Sequence, residues 1–288
     1  MMSGLGMLAG DGGDWRAVIA AALAALLVWA LVLNAPGRGE ALRRRLQNSP
    51  YRWPVSVYLL LLNGWLLSAT LRLLLSWWDE APAAWLLLLL LTLVYGYAAY
   101  RGEAALQRMA VLIVAIFFFW AIVDTLLLLP RYDLTLIAGM NRDPGWLRLA
   151  GAEALWLLAP LPALLVYLPG GEEARPRSRA ARIGAALAAL YLIVMRFRDQ
   201  AVLGMLISLN PYPLLRTLST VSAGVGLNRV EYFGLLALFG ALLTGGMLIL
   251  GAIFVLYDLE RQKRRFASAV LWTAGQFAAS LAFYFVRI

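Results

Sequence analysis

Neither cysteine nor histidine occurs in the 288 residues of this chain. Without cysteine there is no disulfide and no thiolate ligand. Without histidine there is no imidazole ligand, and Ser-His and Cys-His catalysis are excluded together. Charge is also scarce: Asp, Glu, Lys and Arg make up 14% of the residues, whereas hydrophobic residues make up 62% and the mean hydropathy is +0.76. A soluble domain carries ~45–50% apolar residues, so this is the composition of an integral membrane protein. The charge present is lopsided, with 25 Lys and Arg against 16 Asp and Glu. In a soluble chain that excess would point to nucleic acid. Here the arginines fall between apolar runs and read as topology signals, so no nucleic-acid partner is expected. There is no phosphate loop, no carboxylate pair at a fixed spacing and no nucleophile beside a base. The expectation is a protein without catalytic residues, cofactor or metal, and not an enzyme.

Eight apolar runs have, or nearly have, the ~20 residues that a helix needs to cross a hydrocarbon core of about 30 Å. They lie at Trp15–Leu33, Pro54–Trp78, Ala83–Tyr100, Met109–Leu129, Trp146–Leu168, Ala180–Met195, Tyr232–Tyr257 and Phe266–Phe285. Trp15, Trp53, Trp77, Trp78, Trp85 and Trp146 sit at run ends, where indoles favour the headgroup region. Four alternate connections, 34–53, 101–108, 169–182 and 258–265, hold fifteen of the 25 basic residues. By the positive-inside rule these four are cytoplasmic and both termini are outside. The first charges, Asp11 and Asp14, do not make the basic start of a signal peptide.

No linker or soluble domain interrupts the chain, which reads as one transmembrane domain over 1–288. Two segments depart from a plain bundle. Within 34–53, Ala41-Leu42-Arg43-Arg44-Arg45-Leu46 is a basic amphipathic stretch suited to the inner membrane surface, or equally an ordinary positive loop. The segment 197–230, with Asn210-Pro211-Tyr212-Pro213, reads as short helices on the outer face hinged at the prolines. It opens on Arg196-Phe197-Arg198-Asp199-Gln200, which reads as an outer charged collar.

Candidate functional residues are the polar groups inside apolar runs. Leu149-Ala150-Gly151-Ala152-Glu153-Ala154-Leu155-Trp156, followed by Pro160 and Pro162, combines a glycine, a carboxylate and two prolines within three turns. An acidic side chain at mid-bilayer costs ~2.5–3.5 kcal/mol on insertion scales, so Glu153 is either hydrated near an interface or functional. Gly64, Ser68, Arg72 and Ser76 form one ridge, with Arg72 placed to snorkel to the outer interface. Ser56, Asn63 and Thr70 repeat every seven residues, and Asn63 at mid-depth needs a hydrogen-bond partner, structural or ligand. Asp124, near Arg131, reads as an interfacial hydrated carboxylate or as the partner of Arg131 or Arg72. Gly240, Gly245, Gly246 and Gly251 signal tight helix contact, and Thr244 among them has a hydroxyl that a pocket could use.

Taken in order, several segments resemble the spore-germination permease family, the B subunits of nutrient germinant receptors, within the amino acid–polyamine–organocation transporter superfamily. Ala9-Gly10-Asp11-Gly12-Gly13-Asp14-Trp15 is similar to the family's "AG-(Q/R)-DAW", and Pro36-Gly37 to its "PG". Leu71-Arg72 with Asp79-Glu80-Ala81-Pro82 resembles "LR…LP-x-TP". Tyr100-Arg101-Gly102-Glu103 with Leu106-Gln107-Arg108 resembles "aRkGlevlaR". Gly151-Ala152-Glu153 falls where the family has "FGFE" in a broken helix. Ala201-Val202-Leu203-Gly204, Tyr212-Pro213, Leu218-Ser219 and Asn228-Arg229-Val230-Glu231 follow "vlG…yP…is…eR-x-D". The chain departs from the family in lacking Phe on both sides of Gly151 and in having Glu231 for Asp. It also departs in its helix number, since the first and last of the family's ten helices have no counterpart.

The resemblance implies an all-α LeuT-like bundle of about eight transmembrane helices, with a broken central helix and incomplete at both ends. It implies a site for a small nutrient of the amino acid type, with an A-type membrane subunit and a C-type lipoprotein as partners, in the cell membrane or spore inner membrane. Ala150, Gly151, Ala152 and Glu153 are then the candidate ligand contacts, with Asn63 and Thr244 as further candidates. Two alternatives stay open: a proton-coupled amino acid permease with Glu153 as the proton carrier, and a shortened scaffold subunit that binds no ligand.

Overall fold

The computed structural model describes residues 15–33, 38–76, 83–138, 146–167, 174–209, 216–217, 219–220, 230–257 and 265–286. Every regular element among them is helical. In chain order these are α1 (Trp15–Leu33), α2 (Arg38–Asn48), α3 (Arg52–Leu75), α4 (Ala84–Arg101), α5 (Glu103–Leu128), α6 (Thr135–Ala138), α7 (Trp146–Leu158), α8 (Leu161–Tyr167), α9 (Ala174–Leu203), α10 (Val230–Leu256) and α11 (Arg265–Phe285). Short 3₁₀ segments follow α5 (Leu129–Arg131) and α9 (Gly204–Leu209). The Asp79-Glu80 turn, the basic stretch 258–264 and most of 210–229 lie outside the described residues.

Among the described residues five helices are long and apolar enough to cross a membrane: Arg52–Leu75, Ala84–Arg101, Glu103–Arg131, Tyr232–Leu256 and Phe266–Phe285. These identify the chain as a helical membrane protein. The other three expected spans differ for separate reasons. Only Arg16–Val32 of the first run is apolar helix, which is short. The fifth run is split into α7 and α8. The sixth is the middle of the 30-residue α9, which continues through arginines at both ends.

The split corrects the expected position of the break. Helix α7 runs without interruption through Ala150, Gly151 and Ala152, and the helix is broken instead at Ala159-Pro160. Proline has no N–H and its ring clashes with the carbonyl one turn earlier, whereas a single glycine inside a helix only weakens it. The Tyr58 hydroxyl donates to the Ala159 carbonyl at 2.9 Å, and the Leu164 N–H to Pro160 O at 3.2 Å as the helix resumes.

The chain divides into two compact units, each described by itself. Unit 2 comprises 36–115, 159–175 and 239–288. Within it α3 and α11 lie side by side in the same direction: Leu60 faces Gly275 and Gly64 faces Ala279, while Arg72 reaches the end of α11. Small residues let these backbones approach, and a Cβ on Gly64 would lie 2.8 Å from that of Ala279. Gly96 meets Thr273 and Gly246 meets the Tyr95 ring just as tightly. Trp53, Tyr257 and Trp272 cluster where α3 begins and α10 ends, with Arg52 over the Tyr257 ring at 5.2 Å. Beside them Gln47 of α2 donates to Val255 O at 2.9 Å.

Unit 1 comprises 1–35, 116–158 and 176–238. Here α1 and α7 run side by side in the same direction. Arg16 lies over the Trp146 ring at one end, and Ala21 and Ala25 pack against Leu157 further along. Val111, Leu112 and Val114 of α5 in unit 2, and Phe119, Ile122 and Leu126 of the same helix in unit 1, are exposed large apolar side chains. That surface is suited to lipid rather than water.

Candidate functional site

Among the described residues, the buried polar groups differ in kind between the units. In unit 2 they are neutral: Ser56, Asn63, Ser68, Thr70, Thr92, Thr244, Gln276 and Ser280. Several are occupied by their own helix. Thr70 donates to Leu66 O at 2.7 Å, Thr92 to Leu88 O at 2.7 Å, and Thr244 to Gly240 O at 2.8 Å. Thr244 therefore spends its hydroxyl proton on the carbonyl one turn back and keeps only its acceptor lone pairs for another group. Asn63 is fully buried and neither amide atom has a hydrogen-bond partner among the described residues. Arg72 does not extend to the interface alone. Its NH2 donates to the Phe283 carbonyl and lies 3.3 Å from Val286 O, capping the exposed carbonyls of α11.

Charge is buried in unit 1. Asp124 on α5, Glu153 on α7, and Arg198 and Asp199 on α9 are all buried, with Gln200 beside them. Arg196 and its neighbours are thus not an outer charged collar. Helix α9 continues past them to Leu203; Arg198, Asp199 and Gln200 are packed inside unit 1, Arg196 is half-buried and Phe197 stays exposed. Arg198 makes two bonds to Asp199 Oδ1, from Nε at 3.1 Å and NH2 at 2.9 Å, so this pair is neutralised internally.

Asp124 is likewise not hydrated at an interface. It is 5% exposed and lines a small cavity with Phe117, Trp120, Tyr191 and Arg198. The free space, about 10 Å³ for the centre of a water molecule, suits one water. The cation nearest in charge to Asp124 is Arg198, in place of the expected Arg131 or Arg72. Its Oδ1 has no hydrogen-bond partner among the described residues.

Glu153 is 5% exposed, and its Oε2 has no hydrogen-bond partner among the described residues. Ala150, Glu153 and Leu157 form the buried stripe of α7. Gly151 points away: a Cβ there would meet nothing within 4 Å among the described residues. Arg196 is near enough for its charge to act on Glu153, yet its Nε and NH2 have no partner among the described residues. Of the expected contacts, Ala150 and Glu153 share this surface. Gly151 and Ala152 supply helix backbone without free groups, and Asn63 and Thr244 belong to the other unit.

Arg198, Asp199 and Gln200, with the half-buried Arg196 beside them, are the residues that reading the sequence missed as interior groups. The available signal was the apolar Ala201-Val202-Leu203 immediately beyond them, which a solvated helix end would not need. Asp133 outside the spans is simpler. The Thr135 hydroxyl and N–H both donate to its carboxylate, at 2.6 and 2.9 Å, and hold its pKa below the usual range. Compared with protein-family models, curated proteins and solved structures, the chain matches none of them.

Proposed function

We propose that this chain is the permease-like membrane subunit of a nutrient germinant receptor, binding an amino acid-type molecule and signalling through partner subunits. The observation that carries the reading is Glu153: a buried carboxylate in an apolar helix with an oxygen lacking a partner among the described residues. Leaving an ionised group unpaired in an apolar interior is costly, and a ligand ammonium would remove that cost. Ligand binding would then favour one packing of α7. The interruption at Ala159-Pro160 lets α7 shift without continuing the movement into α8. A ligand moves such an equilibrium only by its difference in affinity for the two packings, which a charge contact at Glu153 supplies. The family resemblance gives the partners, an A-type membrane subunit and a C-type lipoprotein, and the spore inner membrane as the location.

A second reading, a proton-coupled amino acid permease, rests on a separate observation. Three carboxylates (Asp124, Glu153, Asp199) face two guanidinium groups (Arg196, Arg198) inside unit 1, an imbalance that a bound proton would remove. Uptake of labelled amino acids into vesicles containing the purified chain separates the readings. The receptor reading predicts saturable binding without accumulation. Proton-driven accumulation abolished by Glu153→Gln would replace it with the permease.

A further inference from the structure

Arg196 completes the site around Glu153, and together the two select the ligand. Both lie in unit 1, and the charge of each acts on the other. Glu153 is seven residues after the start of α7 and Arg196 seven residues before the end of α9, each about 10 Å along its axis. One turn further along both helices, Leu192 packs against the cluster of Ala21, Ala25 and Leu157. Glu153 thus lies one turn from Leu157 on α7, and Arg196 one turn from Leu192 on α9, the residues through which the two helices meet at this cluster.

Two opposite charges so placed would normally close into a direct pair. Instead Glu153 Oε2 and Arg196 Nε and NH2 are all shut off from solvent without a hydrogen-bond partner among the described residues. Of the neighbouring charges Asp199 acts most on Arg196, ahead of Glu153, but its Oδ1 takes both hydrogen bonds from Arg198 and none from Arg196. Arg198 is committed to Asp199 by two bonds, and Asp124 lines the separate cavity with Arg198. What remains is an acceptor that suits an ammonium and a forked donor that suits a carboxylate.

We propose that Arg196 is the carboxylate-binding residue of the site. The ligand class is then a small zwitterion with ammonium and carboxylate close together, an α-amino acid, bridging Glu153 and Arg196. The inference rests on the receptor reading for the role of Glu153, and adds that the carboxylate end is obligatory and read by a side chain.

The test uses the full chain in detergent or nanodiscs, with thermal unfolding and equilibrium binding as readouts. The probes are the twenty amino acids, the amide of each one that binds and the corresponding acid lacking the amino group. The expected result is that at least one amino acid binds and its amide and deaminated acid bind on the order of a hundredfold more weakly. Arg196→Gln should lower amino acid affinity by a similar factor and Arg196→Lys by less, because a point charge replaces the fork. The comparison of probes on the unaltered chain stands even if a variant fails to fold. An amide that binds as well as its amino acid overturns the role of Arg196 while leaving the receptor reading intact. A deaminated acid that binds equally well overturns the bridging geometry. If no amino acid binds, the receptor reading and this inference fall together.

Discussion

At the scale of single residues, the decisive contrast is between a charge that is satisfied and one that is not. Arg198 and Asp199 are adjacent on one helix, both buried, and joined by two hydrogen bonds. Removing one member of a buried pair leaves the other charge uncompensated, at a cost of ~3–5 kcal/mol. Asp199→Ala is therefore expected to destabilise the protein severely, and Asp199→Asn less, because the amide oxygen still accepts from the guanidinium. Denaturation in mixed micelles measures this. An Asp199→Ala protein as stable as the parent would mean that Arg198 finds another anion, with Asp124 the nearest candidate. Glu153 and Arg196 are the opposite case, with Glu153 Oε2 and Arg196 Nε short of hydrogen-bond partners among the described residues. The sequence does not display it. All five residues from Arg196 to Gln200 read as a span end because charge usually marks one. Their burial depends on which helices pack against that turn.

At the scale of elements, glycines and prolines carry the lesson. Gly151 looked like the weak point of its helix because it adjoins a carboxylate. Yet its Cβ direction is open, and α7 is regular around it. Gly246 stood in a run of glycines read as a packing face, and there a Cβ would strike the Tyr95 ring. The two substitutions should therefore have opposite effects. Gly151→Ala is expected to raise stability by ~0.5–1 kcal/mol through better helix propensity. Gly246→Ala is expected to lower it by ~1–3 kcal/mol through overpacking. Thermal unfolding of the two variants against the parent checks both signs. Equal effects would contradict the close approach of α10 and Tyr95. Five of the eight apolar runs return, among the described residues, as helices long and apolar enough to span, because a helix in lipid must satisfy its own backbone and so announces itself by length and hydropathy. The break was legible in kind and misplaced in position, because proline excludes a backbone hydrogen bond outright and glycine does not.

At the scale of the whole molecule, the buried charged groups among the described residues all lie in unit 1, beside the neutral Gln200 and Thr217, while the buried polar groups of unit 2 are all neutral. The neutral set of unit 2 lies on α3, α4, α10 and α11; Thr70, Thr92, Thr244, Gln276 and Ser280 bond within their own helices, and Ser56, Asn63 and Ser68 have no partner among the described residues. The charged set lies on α5, α7 and α9, three helices distant in sequence. Its assembly was not legible in the chain, because no spacing rule relates Asp124, Glu153 and Arg196. What was legible was that a carboxylate inside an apolar run is exceptional, and the structure places Glu153 away from solvent, 5% exposed.

The most direct measurement is equilibrium binding of radiolabelled amino acids to the purified full chain and to Glu153→Gln, both checked for a cooperative unfolding transition. Saturable binding to the parent, weakened on the order of a hundredfold in the variant while the transition is kept, is the predicted result. Equal binding to both proteins, or none to the parent, would contradict Glu153 as the ammonium-binding group.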